Sequence, residues 1–145
     1  MQGKQQDPLL IQGGVHQDHR GQLTFFNDFD MAEVVRFYQI ENKELSTQRA
    51  WRGHRIEKRW FYAVSGEFKI GLIKIDDWAL PSASLKKEII NLRSVDHQVL
   101  FIPVGYATGV QALTEDAKLM VFADYGIDHA QLDNYLYDRD YFGEW

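Results

Sequence analysis

His54 is the residue of this sequence best suited to moving a proton, and it lies in the run Arg-Ala-Trp-Arg-Gly-His-Arg. The ordinary pKa of histidine, about 6.5, lets the imidazole accept or donate a proton near neutral pH. The positive charges of Arg52 and Arg55 oppose protonation of His54, so we expect a neutral ring. In an extended strand, Arg52 and His54 share one face, while Gly53 and Arg55 occupy the other.

A histidine base and an arginine that face one cavity could catalyse enolisation. The base removes a proton next to a carbonyl group, and a cation or hydroxyl stabilises the enolate oxygen that forms. The surrounding cations also suggest a ligand, since five arginines and lysines fall within residues 49–59 of a chain whose net charge is −5. Such a local cluster favours a small anion, such as a phosphate or diphosphate, over a nucleic acid.

Ordinary structural roles compete with these chemical ones. A single histidine on a strand is more often structural than catalytic, and an arginine-rich run is by default a solvated turn. Tyr38, in the stretch Arg-Phe-Tyr-Gln-Ile, has the pattern of a half-buried strand tyrosine. Taken alone, the residues therefore leave both the catalytic and the structural hypothesis open for His54.

Metal binding is not expected from this sequence, and neither is a resident cofactor. The chain has no cysteine, which excludes thiolate metal sites, disulfides and cysteine nucleophiles. A site of histidine and carboxylate is the remaining type, but His54 has Arg52 and Ile56 two positions away and forms no His-x-His pair. Glu57 adds one carboxylate, and one histidine with one carboxylate makes a poor site for a divalent metal.

The elements that would position these residues are short strands. Apolar stretches rich in Val, Ile, Phe and Tyr are broken by Gly, Asn, Asp or Ser, which predicts an antiparallel all-β domain such as a barrel, sandwich or jelly roll. The predicted strands lie in LLIQG, GQLTFFND, EVVRFYQIEN, KRWFYAVSGEFKIGLIKID, SLKKEIINL, HQVLFIPVGYATGVQAL and AKLMVFADYG. The alternation slips around Gly71, which predicts a bulge or a close backbone approach. From about Asp128, mixed spacing predicts a short helix or turns whose aromatic side chains pack back on the barrel.

A chain of 145 residues with 45% hydrophobic residues can form one domain with a real core, so we expect a single domain over residues 1–145. Residues 1–8 are expected to be flexible. No stretch approaches the roughly 18 apolar residues that a membrane helix needs, and the first residues lack the apolar core of a secretion signal. We therefore expect a cytoplasmic protein.

Six segments, taken in order, resemble a known family of sugar-modifying enzymes. They are DHRGQLTFFND, RFYQIEN, RAWRGH, KRWFYAVSGEFKIGLIKID, LFIPVGYATGVQAL and YLYDRDYF. The family consists of cupin-fold enzymes that act on nucleotide-linked 4-keto-6-deoxyhexoses. Its two relevant branches are the 3,4-ketoisomerases, which include the WxcM-like proteins, and the 3,5-epimerases of the rhamnose pathway. The resemblance implies an RmlC-like cupin jelly roll, usually a homodimer, that binds a dTDP-sugar without a metal.

The ketoisomerase branch carries an Arg-Gly-x-His-x-His-Lys motif before a strand, and this sequence is similar to it in part. Aligned on the strand that begins at Arg59, Arg49 takes the place of the motif arginine and His54 that of the second histidine. Arg52 replaces the first histidine, so a two-histidine mechanism is not available. Tyr38 matches a tyrosine that points at the sugar in that branch.

The epimerase branch matches less well at its reacting positions. The stretch GYATGVQALTEDAK fits a loop of that family, but Thr108 stands where the loop has a histidine. Epimerases also use a tyrosine as an acid on the next strand, and here Val121 or Phe122 takes that position. Because an inverting double epimerase needs an acid opposite its base, the resemblance favours 3,4-ketoisomerisation.

The hypothesis that the resemblance implies is a metal-independent 3,4-ketoisomerase of deoxysugar or polysaccharide biosynthesis. His54 would move a proton between C3 and C4 through an enediol, while Tyr38 and Arg52 would hydrogen-bond the sugar oxygens. The expected substrate contacts are Arg49, Lys58, Arg59, Tyr106 and Thr108. Two alternatives stay open: a 3-epimerase or 3,5-epimerase on a similar dTDP-sugar, and a non-catalytic cupin domain that binds a sugar nucleotide.

Overall fold

Strands are the main regular element of the chain, and the computed structural model describes residues 6–145. The strands are β1 (Leu9–Gln12), β2 (Gly14–Asp18), β3 (Gly21–Phe25), β4 (Arg36–Ile40), β5 (Gln48–His54), β6 (Arg59–Ser65), β7 (Glu67–Lys74), β8 (Glu88–Arg93), β9 (Gln98–Ile102), β10 (Tyr106–Ala112), β11 (Lys118–Ala123) and β12 (Tyr135–Leu136). One short helix, α1 (Ile127–Ala130), and 3-10 turns at Ser94–Asp96 and Gln131–Asp133 complete the regular structure of these residues. Each stretch predicted to hold a strand contains one.

The strands form two five-stranded sheets and one separate hairpin. The first sheet has the order β1-β9-β6-β11-β4, the second has the order β12-β5-β10-β7-β8, and β2 pairs with β3. Every pairing is antiparallel within residues 6–145, so the predicted antiparallel all-β architecture is confirmed. The core lies between the two sheets, because Phe61 and Val121 of the first sheet pack in one cluster with Phe68, Ile70 and Leu92 of the second.

Gly71 marks a close backbone approach and not a bulge. The pairing of β7 with β10 runs without a shift through Gly71 and its partner Gly109. A Cβ atom built on Gly71 would lie 2.6 Å from an atom of the Trp51 ring and 2.9 Å from one of the Trp145 ring. Two indole rings therefore rest directly on the strand backbone, which only glycine permits. The register shift of this sheet lies instead where β10 pairs with β5.

The C-terminal segment covers the outer face of the second sheet. After α1 and its 3-10 turn, β12 pairs along the edge of β5, opposite Gly53 and Arg52. Beyond β12, Tyr137, Phe142 and Trp145 pack against Trp51 in a second apolar cluster. The predicted short helix and the predicted packing of aromatic side chains on the barrel are both confirmed. This segment holds β5 between two strands, and β5 carries the histidine and arginine of interest.

The N-terminal part of the chain adds an edge strand to the first sheet. Residues 1–5 of the segment expected to be flexible lie outside the described residues, and residues 6–8 precede β1 without regular structure. In β1, Leu9 pairs with Phe101 of β9. None of the helices in residues 6–145 is long and apolar enough to cross a bilayer.

Candidate active site

A cavity of about 600 Å³ is lined by residues of β4, β5, β6, β10 and β12, and by Tyr137 after β12. Five of the eight predicted site residues line it, namely Tyr38, Arg49, Arg52, Arg59 and Thr108. Its volume lies in the range of pockets that hold small ligands. The structure thus gathers most of the predicted residues around one space.

The register of β5 and β10 decides which side chains face the barrel. Arg52 pairs with Thr108, and His54 pairs with Tyr106. Tyr106 belongs to the core cluster between the sheets, while Gly53 faces the opposite side, where a Cβ would meet the ring of Trp78. Arg52 and His54 therefore share the inner face of β5, as strand alternation predicts.

His54 sits at the end of β5, is only 6% exposed, and is not among the residues that line the cavity. Its Nδ1 lies 2.7 Å from the backbone oxygen of Asp133, which can only accept a hydrogen bond. This contact assigns the proton to Nδ1 and leaves the lone pair on Nε2. Nε2 itself is buried and has no hydrogen-bond partner within residues 6–145.

The surroundings of His54 keep its ring neutral. Burial, followed by the nearby charge of Arg59 and a smaller effect of Arg52, lowers the pKa of His54 from 6.5 to about 4. The neutral ring agrees with the sequence expectation, but Arg55 is not among the causes. Arg55 turns away from the barrel, and its guanidinium lies 6.0 Å from the centre of the Trp78 ring.

Asp133 ties the C-terminal segment to the corner that follows β5. Its side chain is almost fully buried, and the carboxylate accepts hydrogen bonds from the backbone N–H groups of Arg55, Ile56 and Glu57 at 2.7, 3.0 and 2.7 Å. Together with the bond from His54 to its carbonyl, Asp133 fixes both the histidine and the turn behind it. Sequence reasoning missed this residue because the contacts join positions more than seventy residues apart.

Two carboxylates approach His54, yet neither has a free oxygen directed at it. Glu57 Oε2 lies 3.7 Å from His54 Nδ1, and Asp133 Oδ2 lies 3.9 Å from the same atom. The glutamate oxygen is bound by Arg59, and the aspartate oxygen is bound by backbone N–H groups. Among residues 6–145, no group of three or more His, Cys, Asp or Glu side chains is arranged to hold a metal ion.

Buried charges surround Glu57, which is 2% exposed. Glu57 lies behind the part of the cavity that is lined by Tyr38 and Arg59, which we call the cavity floor. Arg36 Nη2 donates to Glu57 Oε1 at 2.8 Å, and Arg59 Nε donates to Glu57 Oε2 at 2.5 Å. Both guanidinium groups lie against the ring of Tyr38, at 5.4 and 6.0 Å from its centre. Arg36 and the structural importance of Glu57 were not expected from the sequence, because no local motif joins them.

Two further arginines that line the cavity are exposed to solvent. Arg49 is exposed, and its Nε donates to the amide oxygen of Asn42 at 2.7 Å. The Arg52 side chain is also exposed and makes no hydrogen bond or ion pair with any residue in the range 6–145. Both can therefore offer donors to an anionic ligand.

Two predicted contact residues are not brought to the cavity. The Lys58 ammonium pairs with Glu33 at 2.5 Å and lies 3.8 Å from Asp124, in the turn before β6. Tyr106 points into the closed core, where burial raises the pKa of its hydroxyl. Neither side chain lines the cavity, because strand register directs Tyr106 to the core and an ion pair holds Lys58 outside.

Comparison with protein families identifies the chain. A family model described as FdtA, WxcM-like, C-terminal, matches residues 7–145. The chain belongs to this family. The resemblance to WxcM-like proteins that the sequence motifs suggested is thus confirmed for nearly the whole length. Among curated protein sequences, none matches this FdtA-family chain.

Solved structures share the fold of this FdtA-family chain at low sequence identity. QdtA, a sugar 3,4-ketoisomerase from Thermoanaerobacterium thermosaccharolyticum in complex with TDP, is 24% identical with a TM-score of 0.70, over 93% of this chain and 91% of its own. WlaRB, a TDP-quinovose 3,4-ketoisomerase from Campylobacter jejuni, is 20% identical with a TM-score of 0.68, over 94% and 97%. ChmJ, a 3'-monoepimerase from Streptomyces bikiniensis, is 16% identical with a TM-score of 0.75, over 94% and 72%. The predicted RmlC-like cupin jelly roll is confirmed by these matches.

Proposed function

We propose that the chain is a 3,4-ketoisomerase of nucleotide-linked 4-keto-6-deoxyhexoses that acts in deoxysugar biosynthesis. The observation that carries this proposal is the cavity faced by Tyr38, Arg52 and Arg59, together with a buried, neutral His54 on the same face of β5 as Arg52. The ligands of two fold relatives support the substrate class. A QdtA variant was crystallised with TDP-4-keto-6-deoxyglucose, and ChmJ was crystallised with dTDP-quinovose.

The proposed reaction exchanges a carbonyl and a hydroxyl group between C4 and C3 of the sugar. A base removes the proton from C3, the electrons of that bond form a C3=C4 double bond, and the C4 oxygen takes up the charge and then a proton. Loss of the O3 proton restores a carbonyl at C3, and C4 accepts a proton. Substrate and product are isomers, so no oxidant or reductant is consumed. The enediolate needs a base near C3 and donors near both oxygens.

His54 is the proposed base, acting through Nε2, since Nδ1 is bound to Asp133. At neutral pH the ring is free to accept a proton, because its pKa lies near 4. Nε2 is buried and His54 does not line the cavity, so this role requires the cavity wall to move when the sugar binds. Arg52, which has no partner among the described residues, is the wall residue freest to move.

The remaining cavity residues receive binding roles in this proposal. Tyr38 and Arg52 hydrogen-bond the two sugar oxygens between which charge moves, and Thr108 lies across from Arg52 on β10. Arg49, which lines the cavity and is exposed to solvent, contacts the diphosphate, because exposed guanidinium groups bind phosphate oxygens with two donors. Lys58 has no role, since its ammonium pairs with Glu33 outside the cavity.

Two other functions are tested by the same experiment. A 3-epimerase or 3,5-epimerase would use similar substrates, but Val121 is fully buried in the core and offers no acid on that strand. A non-catalytic domain that binds a sugar nucleotide is favoured by one observation, the inaccessible Nε2 of His54.

The deciding experiment follows proton exchange on the sugar. Purified protein is incubated with dTDP-4-keto-6-deoxyglucose in D2O, and deuterium is located by NMR. A 3-keto product is expected, with deuterium at C4, because C4 is the carbon that accepts a proton in the proposed reaction. Deuterium at C3 alone, or at C3 and C5, with the 4-keto group retained would identify a 3-epimerase or a 3,5-epimerase. Binding of TDP without any exchange would leave the non-catalytic domain.

The role of His54 is tested with His54→Gln, which keeps a polar side chain of similar length. Loss of at least about a hundredfold in exchange rate is expected, since a general base contributes that much or more. The matched control is His19→Gln, which changes an exposed histidine of the β2–β3 turn and should exchange at the wild-type rate. Exchange by His54→Gln at more than about a tenth of the wild-type rate would remove His54 as the base.

The chain is further proposed to act as a cytoplasmic homodimer in a polysaccharide pathway. Leu9, Phe37 and Val64 stay exposed on the outer face of the first sheet, at 59%, 66% and 40%. Exposed apolar side chains on one sheet face are typical of a surface between protein chains. Light scattering should give twice the 16.9 kDa of one chain, and Phe37→Lys should shift the mass toward that of a monomer. A wild-type monomer would contradict this part of the proposal.

A further inference from the structure

Two arginines of the cavity, Arg52 and Arg59, differ in how firmly they are held. The Arg52 side chain is exposed and has no partner within residues 6–145. Arg59 is 7% exposed, lines the cavity, and donates its Nε to the buried carboxylate of Glu57. A cation that is already in place stabilises developing negative charge without reorganisation during the reaction. By this criterion Arg59 is the better-prepared cation of the cavity.

Glu57 is itself held on both sides. Its Oε1 accepts from Arg36 Nη2 at 2.8 Å, and Arg36 in turn donates its Nε to the backbone oxygen of Tyr125 at 2.9 Å. Its backbone N–H donates to the buried carboxylate of Asp133 at 2.7 Å. The carboxylate therefore has little freedom to follow Arg59 or to turn away from it.

The contact with Glu57 uses only the Nε donor of Arg59. The two terminal nitrogens of this guanidinium have no acceptor within residues 6–145, although the residue lines the cavity. The ring of Tyr38, another cavity residue, lies against the same guanidinium and limits its movement. Up to four N–H groups are thus available to a ligand, while the position of the cation is fixed from below.

We propose that Glu57 is a positioning residue that fixes Arg59 on the cavity floor, and that Arg59 is the catalytic cation for the sugar oxygen that gains charge. This inference rests on the proposed ketoisomerase function. It assigns Arg59 to the sugar and leaves the diphosphate to Arg49, a cavity residue exposed to solvent. It also gives Glu57, which does not line the cavity, an effect on catalysis that passes through Arg59; an effect on His54, whose Nδ1 lies 3.7 Å from Glu57 Oε2, would instead persist without Arg59.

A double-mutant cycle tests this dependence. Arg59→Gln is expected to lower kcat by about a hundredfold to a thousandfold, as the loss of one oxyanion donor does. Glu57→Gln should lower kcat by at least about tenfold, because the amide attracts a guanidinium only weakly. The double variant should be no slower than Arg59→Gln, since Glu57 then has nothing left to position. Losses that multiply in the double variant would contradict the proposal, as would a Glu57→Gln enzyme with kcat within about threefold of wild type.

Binding of TDP separates a sugar contact from a diphosphate contact. Glu57→Gln should bind TDP within about threefold of wild type, or more tightly, because the cavity floor gains net positive charge. A tenfold weaker affinity for TDP with unchanged kcat would place Arg59 at the diphosphate and overturn the proposal. The matched control is Glu33→Gln, which removes an exposed carboxylate that pairs with Lys58 and should alter neither value. If Glu57→Gln does not fold, Glu57→Asp, which keeps the charge but shortens the reach to Arg59, takes its place in the cycle.

A spectroscopic measurement keeps this inference separate from the proposed function. In wild type, the Arg59 Nε–H should give a resolved NMR signal that exchanges slowly with water, because it is buried and bound to Glu57. The signal should be lost in Glu57→Gln and kept in Glu33→Gln. An inactive wild type that binds TDP would refute the ketoisomerase and with it the catalytic role of Arg59. The NMR result would still show whether Glu57 positions Arg59, and an unchanged signal in Glu57→Gln would refute that.

Discussion

The two faces of β5 contrast in how their side chains are used. On the outer face, Trp51 is 1% exposed, packs at 5.0 Å against Trp145, and donates its indole N–H to the backbone oxygen of Arg139 at 3.2 Å. On the inner face, Arg52 has no partner among the described residues and His54 has a free Nε2. Trp51 thus has satisfied contacts, whereas Arg52 and His54 keep unused donors and a lone pair. A strand with a period of two can therefore separate stability from chemistry along one stretch of sequence.

The C-terminal segment makes this separation possible. It covers the outer face with aromatic side chains, and its Asp133 holds the corner at the end of the strand. The strand is thereby fixed from outside, and its inner side chains need not take part in packing. Substitutions on the two faces should accordingly change different properties, and the predictions below test that division.

The largest effect on stability is expected from Trp51→Ala. The change empties a buried site between β5 and the C-terminal aromatics and should lower the free energy of unfolding by about 3–5 kcal/mol. Its counterpart, Arg52→Ala, should change stability by less than about 0.5 kcal/mol, because the Arg52 side chain is exposed and makes no bond within residues 6–145. Urea unfolding of both variants measures the difference. Equal losses would show that the two faces are not separate.

The next effect depends on pH and arises on the inner face. His54 has a pKa of about 4 in the folded chain, lowered from 6.5 mainly by burial. Between these values the unfolded chain binds more protons, so the folded state loses stability as pH falls, by up to about 3 kcal/mol below pH 4. His54→Gln lacks this term. As the pH is lowered from 7 to 4.5, the unfolding free energy of wild type should therefore fall relative to that of His54→Gln.

The control for this prediction is His19→Gln, an exposed histidine. Its unfolding free energy should follow that of wild type across the same pH range, since carboxylates titrate equally in both proteins. If the gap between wild type and His54→Gln stays constant from pH 7 to pH 4.5, His54 is not buried as a neutral ring. The inner face of β5 would then not carry a buried, neutral histidine.

Sequence patterns predicted which side chains of β5 share a face, but they did not predict which buried charges surround His54. Strand alternation placed Arg52 and His54 together because a period of two is a local property of the chain. It could not show that Arg59, rather than Arg55, acts on His54, because the turn after β5 sends Arg55 outward to Trp78.

Contacts between distant residues lay beyond the sequence patterns altogether. Asp133 binds backbone groups 76 to 78 residues away, and Arg36 reaches Glu57 across 21 residues. At Gly71, the sequence left a bulge and a close approach as equal alternatives. The choice depended on Trp145, which lies against that strand only in the folded chain. Individual strands can be predicted from local sequence patterns, whereas a buried charge network forms only when distant strands pack together.

A smaller loss is expected from Gly53→Ala on the outer face. A Cβ at this position would lie 2.6 Å from a ring atom of Trp78, so the indole must shift. Trp78 is only partly buried and can move outward in part, which limits the loss to about 1–2 kcal/mol. The control is Gly126→Ala, where the nearest atom would be 4.0 Å away, and its stability should be unchanged or slightly higher. The melting temperatures of the two variants are compared by thermal unfolding. Equal melting temperatures would show that the Trp78 ring does not pack closely against Gly53.

The smallest effect is expected from Lys58→Ala, which lies beyond β5 and belongs to neither face. Its partner Glu33 is 61% exposed, and an exposed ion pair stabilises a fold by less than about 1 kcal/mol. Because Lys58 does not line the cavity, TDP affinity should also stay within about threefold of wild type. Arg49→Ala, which removes a cavity cation, should weaken TDP binding by about tenfold or more, since a charge-assisted hydrogen bond is lost. If Lys58→Ala bound TDP as weakly as Arg49→Ala does, Lys58 would contact the ligand. The ligand-binding surface would then extend beyond the end of β5.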